Sequence, residues 1–167
     1  MTKIWYACYG SNINFERFKY YIEGGIYPVT GKDHKGGCSD KTLPTENYPI
    51  FIPYELYFGN SSQWWDNSGV AFLDISKPSV IIGRAYLITD EQFKQIHKQE
   101  GTSSDWYDSV ISLGIHKGYS IKTFTNNFRR EENRPSDTYL KVIAEGMHEM
   151  IGPSIIIPNQ QGRITNE

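Results

Sequence analysis

The sequence has no surplus of positive charge, little cysteine and no long apolar run, and each shortage removes a class of function. Seventeen Lys and Arg stand against nineteen Asp and Glu, a formal charge of -2. That leaves no cationic excess for gripping a polyanion, so neither nucleic acid nor an anionic membrane is an expected partner. No apolar stretch approaches the ~20 residues that cross a bilayer. The run after Lys3 meets Tyr9-Gly10-Ser11-Asn12 too early to be the apolar core of a signal peptide, and a cytoplasmic location is expected. Cys8 and Cys38 form no CxxC, which is neither a disulfide framework nor a cysteine-rich zinc site; both are expected as free thiols. His34, His97, His116 and His148 show no HxxxH spacing, so no metal site is expected.

Aromatic residues are plentiful. They make up 14% of the 167 residues, against 38% hydrophobic residues in all, at a mean hydropathy of -0.52. Each buried ring removes about 150–250 Å² from water, so rings can build a core that Leu and Val do not. The length suits a single domain, expected over residues 1–158, with a polar tail at 159–167.

Along the chain, Lys3 to Tyr9 is β-branched and aromatic up to Gly10 and predicts a buried strand ending in a turn. Ser11 or Asn12 caps the helix expected next, whose Ile13, Phe15, Phe18, Tyr21 and Ile22 recur at spacings of three and four before Gly24-Gly25. Residues 28–47 are polar and Gly-rich and predict a long surface loop. Strand signals follow at 49–58, 69–75, 80–88, 106–113 and 119–124. With the first, these make about six strands, which favours a closed or curled sheet that hides its edges. The expected class is therefore α+β: a small mixed barrel flanked by helices. A second helix starts at Asp90 behind a Thr89/Gln92 capping box and stops at Gly101, with Phe93, Ile96 and the stem of His97 inward. A third follows Ser136, with Tyr139, Leu140, Ile143, Met147 and Met150 on one face and Gly152-Pro153 at its end. Residues 154–157 predict a last short strand.

Two segments could carry chemistry. In Tyr9-Gly10-Ser11-Asn12, glycine lets a ligand approach the backbone, and successive N–H groups at a strand-to-helix turn form a donor site for a carboxylate or oxyanion. An ordinary capped turn has the same spacing. In Gln99-Glu100-Gly101 an acid ends a helix, where it opposes the dipole; inward placement among aromatics would raise its pKa further, toward the range of a general acid/base. A solvated glutamate at a helix end is the plainer alternative.

Tyr9-Gly10-Ser11-Asn12 followed by a helix bearing Arg17 resembles the YGSN signature of the γ-glutamylcyclotransferase-like superfamily. Glu100-Gly101 with Tyr107 is similar to that family's catalytic segment, and Pro135-Ser136 with Tyr139 to the start of its C-terminal helix. Gly69-Val70-Ala71-Phe72 and Gly83-Arg84-Ala85-Tyr86-Leu87 fall where its strands do. The resemblance implies a small mixed barrel, no metal or cofactor, and a small-molecule γ-glutamyl substrate. It implies release of 5-oxoproline by attack of the substrate's α-amine on its γ-carbonyl. Glu100 is the implied acid/base, Tyr9, Gly10, Ser11 and Asn12 the anchoring loop, and Tyr107 and Tyr139 the lining hydrogen-bond partners. Cys8 stands where a small apolar residue is expected, and the loop at 32–45 and Trp64-Trp65 have no family counterpart.

Other chemistries have less support. Cys8 lies in an apolar run with no histidine tied to it by motif, and Ser11 lacks a GxSxG setting. Arg129-Arg130 followed by Glu131-Glu132 suits a solvated turn. Trp64-Trp65 with Tyr54, Tyr57 and Phe58 either pack the core and cover a barrel mouth or form an exposed platform, in which case the chain is a non-catalytic binding module.

Overall fold

The computed structural model describes residues 2–152, 156–158 and 164–166. Its centre is a five-stranded mixed sheet in the order β4-β5-β1-β7-β6, formed by β1 (Lys3–Cys8), β4 (Asn47–Ser62), β5 (Ser68–Thr89), β6 (Ser109–His116) and β7 (Tyr119–Thr125). β1 is antiparallel to β5 and parallel to β7. Two-stranded pairs join β2 (Ile26–Tyr27) to β3 (Lys32–Asp33), and β8 (Ile156–Pro158) to β9 (Ile164–Asn166). The strand expected at 154–157 is thus met by β8, with residues 154 and 155 outside the described residues.

The mixed α+β class holds, and the closed barrel does not. The central sheet ends on two edge strands, β4 and β6. The count of six comes from reading 69–75 and 80–88 as separate strands, split at Ser76-Lys77-Pro78-Ser79. They are one strand, β5, whose pairing with β4 shifts register between Tyr54↔Pro78 and Glu55↔Asp74. A bulge absorbs the extra residues and bends the strand without ending it. The outer half of β5 meets the end of β7 through a side chain: Thr125 Oγ1 accepts from Leu73 N–H and donates to the Leu73 carbonyl, both at 3.0 Å.

Helix α1 (Phe15–Glu23) begins one turn later than its expected cap. Ser11–Ile13 form a single 3₁₀ turn, and the cap is Asn14, whose side chain accepts from Arg17 N–H. Helix α2 (Asp90–Glu100) has the Thr89/Gln92 capping box in both directions. Helix α3 (Asp137–Ile151) starts on Ser136. Its buried face is Tyr139, Val142 and Gly146, while Leu140 is exposed. Gly146 lets α3 lie directly on the Asn14 turn, since a Cβ there would come within 2.4 Å of the Asn14 nitrogen. Asn14 Nδ2 ties the contact by donating to the Val142 carbonyl.

The core is aromatic, as the composition required. Phe18 stacks on Tyr86 at 4.3 Å, Phe72 on Tyr107 at 4.7 Å and Tyr6 on Phe124 at 5.5 Å between ring centres. Residues 28–47 are not a free surface loop. They contain β3 and bury His34 and Cys38; Gln92 Nε2 donates to the carbonyls of Asp40 and Thr42, and Cys38 Sγ to that of Tyr21. Both cysteines are free and buried, and burial pushes the Cys38 thiol up to about 11. No helix among the described residues is long and apolar enough to cross a membrane.

Candidate active site

A cavity of about 400 Å³ opens where the C-terminal end of β1, the 3₁₀ turn, the end of α2 and the outer half of β5 meet. Every residue singled out for the site lines it: Tyr9, Gly10, Ser11 and Asn12 from the turn, Glu100 from α2, Tyr107 from the segment before β6, and Tyr139 from α3. β1 delivers the turn, the α2 capping box fixes the helix that ends on Glu100, and Ser136 starts the helix that carries Tyr139.

Glu100 is half-buried and faces the cavity rather than bulk water. Asn12 Nδ2 donates to its Oε1 and also to the Tyr6 hydroxyl, each at 3.2 Å. Desolvation raises its pKa above the ordinary carboxyl value, and the Arg17 charge and the Tyr21 and Asn12 side chains oppose that rise. The cause is therefore burial, one of the two effects considered from the sequence.

The tyrosines are held as neutral phenols by burial. Tyr9 donates to the Phe124 carbonyl at 2.7 Å. Tyr107 donates to the Ala71 carbonyl at 2.9 Å, and Tyr139 accepts from Ala71 N–H at 3.0 Å. One residue of β5, Ala71, thus fixes both rings. Because the Tyr139 oxygen accepts from Ala71, the phenol's own proton is free to donate. Tyr86 donates to the Asn12 carbonyl at 2.8 Å. Gly10 is required by close approach: a Cβ there would come within 2.8 Å of the Tyr139 hydroxyl.

Trp64 and Trp65 also line the cavity. Trp65 is only 5% exposed and meets Tyr139 edge-on at 4.9 Å, so the pair is not an exposed platform but part of the wall. Arg17, Tyr21 and Thr123 line it as well, and sequence reading gave none of them a role beyond the motif and the helix stripe. A signal was available: Arg17 is four residues before Tyr21, which places a cation on the apolar face of α1. Among the described residues no group of three or more His, Cys, Asp or Glu side chains could hold a metal ion.

No family model matches the chain. A histone deacetylase 5 from Arabidopsis thaliana is 30% identical over 190 residues, spanning 87% of this chain and 28% of that protein. The chain therefore corresponds to less than a third of that relative's length. Among solved structures, a gamma-glutamyl cyclotransferase superposes with a TM-score of 0.62 at 21% identity, covering 98% of this chain and 94% of that one. An uncharacterized protein from Homo sapiens gives 0.64 at 22%, covering 92% and 83%. YkqA from Bacillus subtilis gives 0.60 at 18%, covering 92% and 51%. Topology and likeness agree with the motifs: this chain has the γ-glutamyl cyclotransferase-like fold.

Proposed function

We propose that the chain releases 5-oxoproline from a γ-glutamyl amide or peptide by intramolecular aminolysis, with Glu100 as general acid/base. The observation that carries this reading is the Glu100 carboxyl itself: turned into the cavity, bonded to Asn12 of the anchoring turn, and raised in pKa by burial. A base tuned toward neutral pH contributes ~10²–10⁴-fold in rate.

In the proposed reaction Glu100 takes a proton from the substrate's α-ammonium, and the freed amine attacks the γ-carbonyl carbon. The new C–N bond closes the five-membered ring, and the carbonyl oxygen becomes an oxyanion. The Tyr139 hydroxyl, whose oxygen already accepts from Ala71, has a proton to donate there, and Gly10, Ser11 and Asn12 present their amides from the same turn. The old C–N bond then breaks as Glu100 protonates the departing nitrogen. Both protons shed by the attacking nitrogen end on the released amine, and Glu100 returns to the carboxylate. The walls hold the γ-glutamyl chain in a cyclising conformer.

The test is to incubate the protein with a panel of γ-glutamyl amines and γ-glutamyl dipeptides and to assay 5-oxoproline. Turnover of at least one member is expected. A panel without turnover would leave a non-catalytic binding module on the same fold.

A further inference from the structure

Among the described residues, Arg17 and Glu100 are the two charged ones that line the cavity, and they carry opposite signs. They are not an ion pair: among the described residues no carboxylate lies within ion-pair distance of Arg17. The Tyr21 hydroxyl accepts from Arg17 Nη2 at 3.1 Å, and the Arg17 charge and the Tyr21 side chain both favour the ionised form of Glu100. Arg17 is 1% exposed. A buried guanidinium without a counter-anion is costly. The rings of Tyr27 and Tyr21, at 4.6 and 4.7 Å, and of Trp65 and Trp64, at 5.7 and 5.8 Å, attract the cation but supply no anionic charge.

A second observation points to a ligand. Among the described residues, the buried side-chain atoms without a hydrogen-bond partner are Arg17 Nε, Asn12 Oδ1 and Thr123 Oγ1. All three residues are at least nine-tenths buried and line this cavity. Native interiors leave few such atoms unpaired. Here they comprise a donor beside the cation, an acceptor beside Glu100 and a hydroxyl that can do either.

Resting on the cyclotransferase reading and deepening it, we infer that Arg17 and Glu100 together read the zwitterionic head of an α-amino acid. Arg17 takes the substrate's α-carboxylate, and Glu100 with Asn12 Oδ1 takes its α-ammonium. His34 is the positioning residue. A guanidinium can only donate, so His34 Nε2 accepts from Arg17 Nη1, and its Nδ1–H donates to Gln99 Oε1 at 3.2 Å. Gln99 Nε2 in turn donates to the Tyr21 carbonyl at 2.8 Å. The imidazole stays neutral beside the cation, so it aims the guanidinium without adding charge.

The test compares L-glutamine with its α-carboxamide in calorimetric binding, and a γ-glutamyl anilide with its α-carboxamide in 5-oxoproline release. It uses the wild type, Arg17→Gln and Arg17→Lys. The wild type is expected to prefer the free carboxylate by roughly 30-fold or more, Arg17→Gln to lose that preference, and Arg17→Lys to keep part of it. If Arg17 only braces the fold, Arg17→Gln weakens both members of each pair equally and keeps the preference, which overturns the inference. If the variants do not fold, the wild type alone decides, since a wild type indifferent to the carboxylate also overturns it. The two readings fail separately. Carboxylate-dependent binding without 5-oxoproline would end the cyclotransferase reading and keep the head-group site, whereas 5-oxoproline release indifferent to the carboxylate would do the reverse.

Discussion

Arg84 and Arg17 are both buried, 7% and 1% exposed, and both lie against tyrosine rings, but their surroundings differ. Arg84, on β5 behind the anchoring turn, donates through Nη1 to the Ile13 carbonyl at 2.8 Å and to Glu149 at 2.7 Å, and through Nε to Asn47 at 3.1 Å. It fastens the turn, β4 and α3 together. Arg17, on α1 at the cavity, meets neutral side chains and keeps one N–H without a partner. A buried cation with its anion in place is a structural brace. One without an anion marks where a ligand's charge belongs.

That contrast can be broken in several ways, the largest at the carboxylate that shares the cavity with Arg17. Glu100→Gln is expected to lower kcat by ~10²–10⁴-fold in a steady-state 5-oxoproline assay while leaving the fold intact. It should also raise the melting temperature, by roughly 2–4 °C per kcal/mol regained at this chain length. The sign follows from the raised pKa: the folded chain holds the proton more tightly than the unfolded chain. The contribution of Glu100 to stability is therefore fullest in acid and is lost as pH rises from about 4.5 through the raised folded value.

Next in size, Arg17→Gln is expected to cost roughly 30-fold or more in kcat/KM with a smaller drop in melting temperature than Arg84→Gln. The second substitution should do the opposite. It leaves the Ile13 carbonyl and Glu149 without their donor, costing about 1–3 kcal/mol in denaturant unfolding, with kcat/KM per folded molecule close to that of the wild type. If both variants lost activity and stability in the same proportion, the two arginines would not differ in role.

The smallest effect concerns His34, whose pKa is lowered to about 4 by desolvation and then by the Arg17 charge. Because the folded value lies below the ordinary 6.5, the stability it contributes is full above about 6.5 and is lost as pH falls through that window toward 4. An NMR titration should find the ring still neutral at pH 6, and a titration near 6.5 would separate it from Arg17.

What the sequence made legible was local. The β1 turn, the capping box of α2 and the Ser136 start of α3 are each written within a few residues, and they deliver Tyr9 to Asn12, Glu100 and Tyr139 to one cavity. What it concealed depends on distant pairing. Ser76, Lys77 and Pro78 look like a break because a bulge is visible only against the facing strand, and reading β5 as two strands is what suggested a closed sheet. His34 reaches Gln99 across 65 positions, and nothing near His34 in the chain announces it. The loop that carries it looked solvated because its polar residues outnumber the two buried side chains that pin it, His34 and Cys38.

The most direct measurement follows a γ-glutamyl amide labelled with ¹⁵N at its α-amine, incubated with the wild type and with Glu100→Gln, using NMR to detect the ring nitrogen of 5-oxoproline. The account predicts labelled 5-oxoproline from the wild type and at least ~100-fold less from a folded Glu100→Gln. No labelled product from the wild type, or equal amounts from both proteins, would contradict it.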